Sequence, residues 1–231
     1  VGTAVDATDA VPGDGVCATV AATCSLRAAV TESNTWPGTD TVSIAPGIDP
    51  VLTIAGVGED LAATGDLDLT ATVTIVGNGA TVDAAGIDRV FESTAPTLAM
   101  SGLTITGGAA VDGAGVRIAA GAAAFTAVTI EGNAATGDGG GLRLVAGTLT
   151  ATGSTFSGNS AVANGGGLSV ASGAATLTDS TVSGNTGRYG AGINQDQDAG
   201  TLTVLRSTIS GNTGVSASGA SRGGGIHQAA N

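Results

Sequence analysis

Ser154-Thr155-Phe156-Ser157-Gly158-Asn159, followed by Gly165-Gly166-Gly167-Leu168, is the stretch that decides the fold. The same line recurs as Val128-Thr129-Ile130-Glu131-Gly132-Asn133, Ser180-Thr181-Val182-Ser183-Gly184-Asn185 and Ser207-Thr208-Ile209-Ser210-Gly211-Asn212. Its asparagines stand at 133, 159, 185 and 212, hence 26, 26 and 27 residues apart. A fixed period of this size marks stacked units, none of which buries its apolar face alone. Inside each unit the apolar residues alternate with hydroxyls, as in Thr176-Leu177-Thr178 and Thr181-Val182-Ser183. Period two means strands, and these are short and lack the two-residue turns of hairpins. The expectation is an all-β solenoid, a parallel β-helix of three strands per coil and about 25 residues per coil, hydrogen-bonded coil to coil at about 4.8 Å.

Composition agrees: 40 glycines and 2% aromatics leave few large side chains for an ordinary globular core, and a coil interior of stacked aliphatics needs none. Asn133, Asn159, Asn185 and Asn212 read as a structural ladder of amides at one corner.

Residues 1–40 differ from the coils of 41–231. A helix is expected over Ala21 to Asn34, with Thr23 as its N-cap, Leu26, Ala29 and Val30 on one face, and Pro37-Gly38 closing it. Such a helix would cap the open end of the solenoid. Cys17 and Cys24 bracket a loop just before it. A redox CxxC pair would be closer together and a zinc site would want more ligands, so the pair reads as a disulfide and implies an oxidising compartment.

Cys24-Ser25-Leu26-Arg27-Ala28-Ala29 resembles the Cys-Ser-Leu-Arg-Glu-Ala signature of the CSLREA domain, which opens many secreted and surface proteins of bacteria. Asp6, Asp9 and Asp14-Gly15-Val16-Cys17 resemble that domain's leader, and Val73–Asn78 with Asp88-Arg89-Val90-Phe91 the stretch that follows it. The later units are similar to the repeats of polymorphic outer membrane proteins, through Gly165-Gly166-Gly167-Leu168 and Phe156-Ser157-Gly158-Asn159. Ala28 departs from the signature glutamate, and Ile130, Val182 and Ile209 replace the repeat phenylalanine. The resemblance implies a right-handed parallel β-helix of the pectin-lyase-like type, exported to the cell surface and often part of an adhesin. It implies no single activity.

Seven basic residues, all arginine, face 19 acids, for a net charge of −12. There is no basic stripe for nucleic acid or an anionic membrane, and no apolar run long enough to insert in a bilayer. The cysteine pair suggests export with the signal peptide removed. Gly223-Gly224-Gly225-Ile226 opens a further coil shortly before Asn231. The expectation is therefore a longer surface protein, of which this segment is one part with a truncated C-terminal end.

Chemistry is sparse. Glu59, Asp60, Asp66 and Asp68, with Asp83, Asp88 and Arg89 nearby in sequence, form the one carboxylate cluster. Asp66 and Asp68 stand two apart, an alternation that places both on the outer face, where Ca²⁺ could bind or a polysaccharide could be cleaved. Solvated acids on a turn that cap local backbone groups are the plainer explanation. His227 is the sole histidine and has no nucleophile elbow to serve. Arg117 and Arg143 each follow a glycine turn by two residues and would repel if stacked, unless Asp112 or Asp138 stands near. Trp36 and Tyr189, with Ser216, Ser218 and Arg222 of the lengthened loop Gly214–Arg222, make a candidate surface for a glycan or a receptor, although Trp36 could equally pack in the cap. Thr148-Leu149-Thr150, Thr176-Leu177-Thr178 and Thr201-Leu202-Thr203, with a second row of Thr155/Ser157, Thr181/Ser183 and Thr208/Ser210, suggest threonine files on successive coils, as on ice-binding β-helices; Glu131 interrupts the second row and Arg206 borders the first. The reading is a non-catalytic adhesive or stalk segment that requires no cofactor. A polysaccharide-binding or polysaccharide-cleaving β-helix, with or without calcium, is the alternative, and ice binding is the lesser one.

Overall fold

The computed structural model describes residues 1–196, 200–215 and 222–229. One helix, Leu26–Thr35, precedes a stack of coils whose strands pair in parallel, each with its counterpart about one period away. The chain is thus a parallel β-solenoid with a short helix near its N-terminus.

From the strand Thr97–Ser101 onward each coil crosses four sheets, one more than the repeat pattern suggests. Sheet I holds the long strands, Asp40–Ser43, Val73–Val76, Thr97–Ser101, Ala122–Thr126, Thr148–Thr152, Ala174–Thr178 and Thr201–Leu205. Sheet II stacks Thr81–Asp83, Thr104–Thr106, Thr129–Glu131, Thr155–Ser157, Thr181–Ser183 and Thr208–Ser210. Sheet III consists of two-residue strands from Ala109–Ala110 to Thr213–Gly214, too short for alternation to reveal them. Sheet IV runs from Leu67–Leu69 through Phe91–Ser93, Val116–Ile118, Leu142–Leu144, Leu168–Val170 and Ile193–Gln195 to Ile226–Gln228.

Inward residues stack in columns. In sheet I one column reads Leu98, Ala123, Leu149, Ala175, Leu202 and its neighbour Met100, Phe125, Ala151, Leu177, Val204. From Ala123 onward, where one column carries alanine the other carries a large side chain, so each coil encloses a similar volume and neighbouring coils interdigitate. This packing sets the register. Thr150 therefore pairs with Thr176 and Thr203, while Thr148 pairs with Ala174. The sheet I threonine files are thus offset by two residues from the expected alignment, and the file through Thr152 and Thr178 ends on Leu205.

Side-chain ladders tie the corners. Asn133 Nδ2 donates to Asn159 Oδ1 at 3.0 Å, Asn159 to Asn185 at 3.1 Å, and Asn185 to Asn212 at 2.9 Å. The same Oδ1 atoms accept the backbone N–H of the preceding asparagine. Each Nδ2 also reaches back to a core-position carbonyl, such as Ile130 O for Asn159. Glycine makes the room: a Cβ on Gly167 would lie 2.7 Å from Gly192 O and 2.9 Å from Asn185 Nδ2. The Gly-Asn and triple-glycine motifs of the repeat are two halves of one packing unit. A second ladder, absent from the sequence reading, links Ser154, Ser180 and Ser207 from hydroxyl to backbone N–H at the corner between sheets I and II.

The helix begins five residues later than expected. Ser25 is its N-cap and accepts from Ala28 N, while Thr19–Thr23 form a turn containing Ala22 at φ 56°. The Cys17–Cys24 disulfide follows directly, and Thr23 stays outside the helix, its hydroxyl and carbonyl both bonded to Thr19. Leu26, Ala29 and Val30 are buried against the first coils.

Candidate ligand-binding recess

The cap shapes the site through one side chain. Arg27 is fully buried and all its donors are used: Nε and Nη2 on Asp6, Nη1 on Ala62 O and Asp66 O, and Nη2 also on Gly65 O. Asp6 Oδ2 also accepts from Thr53 N and Ile54 N. This guanidinium pins the Ala62–Asp66 turn to the helix. Asn34 extends the clamp to the first sheet IV strand, donating to Asp68 O and accepting from Thr70 N. Glu32, one turn beyond Ala28, accepts from Gly13 N and Gly15 N and so holds the segment just before the disulfide loop on the helix.

With the turn fixed, Asp66 and Asp68 are not solvated as expected: Asp68 does face outward between Leu67 and Leu69, but the two are only 4% and 3% exposed. Asp68 Oδ2 accepts from Ala62 N at 2.8 Å. Burial pushes Asp68 up to about 7, against the opposing bond from Ala62 N, with Asp66, Glu59 and Glu92 adding to the rise. Burial likewise pushes Asp66 up to about 6, against the pull of Arg89. Glu59 closes its own loop, accepting from Leu61 N and Thr64 N.

A recess of about 700 Å³ opens beside this turn. Val57, Glu59 and Asp60 form one wall, Asp66, Asp88, Arg89 and Glu92 lie along it, and Ala109, Ala110, Val111, Ala134 and Thr136 complete the lining. Arg89 Nη1 bridges Asp66 at 2.7 Å and Glu92 at 2.6 Å, while Nε and Nη2 bind the carbonyl of Asp112. Arg117 pairs with the other oxygen of Glu92.

The outer row of sheet IV continues from this recess as Asp68, Glu92, Arg117, Arg143, Ser169, Asn194 and His227. The two arginines do stack in register. Arg143 lies between Asp138, which it pairs with directly, and Asp112 at 4.0 Å, and Arg117 turns to Glu92. Asp112 and Asp138 also accept the backbone N–H of Asp138 and Asn164, a third coil-to-coil ladder. Ser169 is fully buried, and its hydroxyl has no partner among the described residues. At the far end Tyr189 stacks on His227 with ring centroids 5.3 Å apart, Arg188 lies over Tyr189 at 4.8 Å, and His227 Nδ1 meets Asn194 Oδ1 at 2.9 Å.

The sequence candidates are thus distributed. Glu59, Asp60 and Asp66 line the recess; Asp68 lies beneath the turn and outside that lining. Among the described residues no three His, Cys, Asp or Glu side chains converge as metal ligands. Tyr189 and Arg222 are register neighbours late in the stack. Trp36 stands instead at the cap, 46% exposed, beside a smaller recess of about 320 Å³ that also involves Glu32, Asp40 and the disulfide. Ser216 and Ser218 lie outside the described residues. The buried Arg27–Asp6 pair and the bridging role of Glu92 were not found from sequence; the arginine inside the Cys-Ser-Leu-Arg motif was the available signal for the first.

Comparison with known proteins finds no match to this chain, whether among family models, curated proteins or solved structures.

Proposed function

We propose that the chain is a non-catalytic extracellular β-helix module of a bacterial surface or secreted protein, serving as an adhesive segment or a structural stalk. We place it with the CSLREA-domain proteins that carry polymorphic outer membrane protein-like repeats. In support, each residue of Cys24-Ser25-Leu26-Arg27 has a distinct task in the cap: disulfide, helix N-cap, core contact and buried clamp. Its natural partners are the rest of a longer surface protein and a glycan or receptor outside the cell. The observation that carries this reading is that three acids of the cluster are already committed to structural bonds. Asp68 holds Ala62 N, Glu59 spans two N–H groups of its own loop, and Glu92 is shared by two arginines. A general acid or nucleophile needs a free oxygen facing the substrate, and Glu59 and Glu92 have none. The test is a binding screen of the oxidised chain against a broad glycan and receptor panel, with calcium and with chelator. Saturable binding supports the adhesive role, and calcium dependence would move the reading to the polysaccharide alternative.

A second reading has its own observation. Sheet II stacks Thr81, Thr104, Thr129, Thr155, Thr181 and Thr208 in one unbroken outward file. Hydroxyls repeating at strand spacing of about 4.8 Å could order water against ice. The adjacent file carries Asp83 and Glu131, which opposes that role. Absence of thermal hysteresis would remove it.

A further inference from the structure

The recess beside the cap has a composition that neither a stalk nor a sugar site needs. Its lining carries five acids, Glu59, Asp60, Asp66, Asp88 and Glu92, against Arg89 alone. Asp66 and Asp88 are each less than a tenth exposed, and each keeps one carboxylate oxygen, Oδ1 of Asp66 and Oδ2 of Asp88, that accepts no hydrogen bond among the described residues and still meets solvent at the recess. A ligand that takes these oxygens out of water must bring a donor to them, or the desolvation is costly. The rim is aliphatic: Val57 is 79% exposed and Val111 68%, and Leu61 on the same loop is 74% exposed. Sugars are gripped by flat aromatic faces, and none lines this recess. Exposed branched aliphatics around an acidic floor instead match a chain that alternates cationic and apolar side chains.

We propose that this recess docks a basic amphipathic peptide segment of a partner protein, a lysine or arginine head seating against Asp66 and Asp88 while its aliphatic neighbours cover Val57 and Val111. This rests on the adhesive reading and names the class of receptor. Arg89 sets the depth of entry, because its guanidinium already occupies the space between Asp66 and Glu92. The incoming cation is directed to the oxygens that Arg89 does not reach.

The test uses the whole oxidised chain and three synthetic peptides: one alternating lysine with leucine and valine, one with glutamate for every lysine, and one with serine for every aliphatic residue. The first binds, and both others bind at least tenfold more weakly. Asp88→Asn weakens the first peptide about tenfold and Val111→Ser several-fold, whereas Glu131→Gln, an equal charge change on sheet II, leaves it unaltered. Methyl NMR of the unmodified chain shows the shifts centred on Val57 and Val111. An equal loss from Glu131→Gln, unchanged affinity in Val111→Ser, or shifts elsewhere overturns the proposal. Glycan binding with no preference among the peptides overturns it too, and leaves the adhesive reading standing.

Discussion

Arg27 and Asp6 form an ion pair from which both side chains are wholly excluded from water, with Nε 2.7 Å from Oδ1. A buried pair is a weak source of net stability, but breaking one strands the remaining charge at a cost of about 3–5 kcal/mol. Here the pair also holds three carbonyls of the Ala62–Asp66 turn. Arg27→Met is expected to release the cap selectively. Amide exchange will rise in residues 26–35 and 62–68, while the strands from Thr148 to Ser183 keep their protection. Arg27→Lys will not rescue it, because an ammonium cannot reproduce the planar fork.

The asparagine ladder gives a graded prediction. Asn159 is fully buried and joins two neighbouring rungs, so Asn159→Ala leaves several backbone and amide groups unpaired. A loss of about 3 kcal/mol is expected at about 1–3 kcal/mol for each orphaned group, partly relieved by relaxation. Asn212 is half-buried near the end of the stack, and Asn212→Ala should cost clearly less. Urea midpoints of the two variants check the order.

Acid titration offers a third check. Asp66 and Asp68 are raised by burial to about 6 and about 7, so the folded chain retains protons that the unfolded chain has lost. Their contribution is fully present below about pH 4, the ordinary carboxylate range, and is lost as pH rises through about 6 to 7. Unfolding free energy should therefore fall from pH 5 to pH 8. Asp68→Asn, which keeps an oxygen for Ala62 N, should flatten that slope. An unaltered slope would show that Asp68 ionises freely in the fold.

Column packing makes a fourth. Leu149→Ala is expected to cost about 2–4 kcal/mol through transfer and cavity terms. Adding Ala151→Leu restores the volume of that coil but stacks three alanines at 123, 149 and 175 and three large residues at 125, 151 and 177. The double variant should recover less than half of the loss. Full recovery would mean that coil volume alone sets the register.

Much of this architecture was legible in the repeat, and what was hidden has physical reasons. The glycine-asparagine spacing and the alternation in Thr181-Val182-Ser183 point directly to stacked parallel strands. The register of sheet I did not follow, because a slip of two residues keeps every side chain on its own face and alternation cannot detect it. Thr148-Leu149-Thr150 looks like Thr176-Leu177-Thr178, yet Leu149 stacks on Ala175. The helix starts later than the sequence suggests because Thr23 and Ser25 are both competent caps, and their partners distinguish them: Thr23 is bonded to Thr19, while Ser25 donates to Ala7 O and accepts from Ala28 N. Asp66 and Asp68 were located as a pair, but their burial depends on a turn fixed by Arg27 some forty residues earlier. Long-range clamps of that kind leave no local pattern.

The central question is whether the acids of the recess hold a ligand or cut one. The decisive measurement incubates the oxidised chain with acidic, neutral and amino polysaccharides and with the lysine-rich peptide, following retention and new reducing ends together. The account predicts saturable retention of a ligand with no cleavage of any polysaccharide. Steady release of reducing ends, abolished by Asp66→Ala in a chain that still folds, would contradict it.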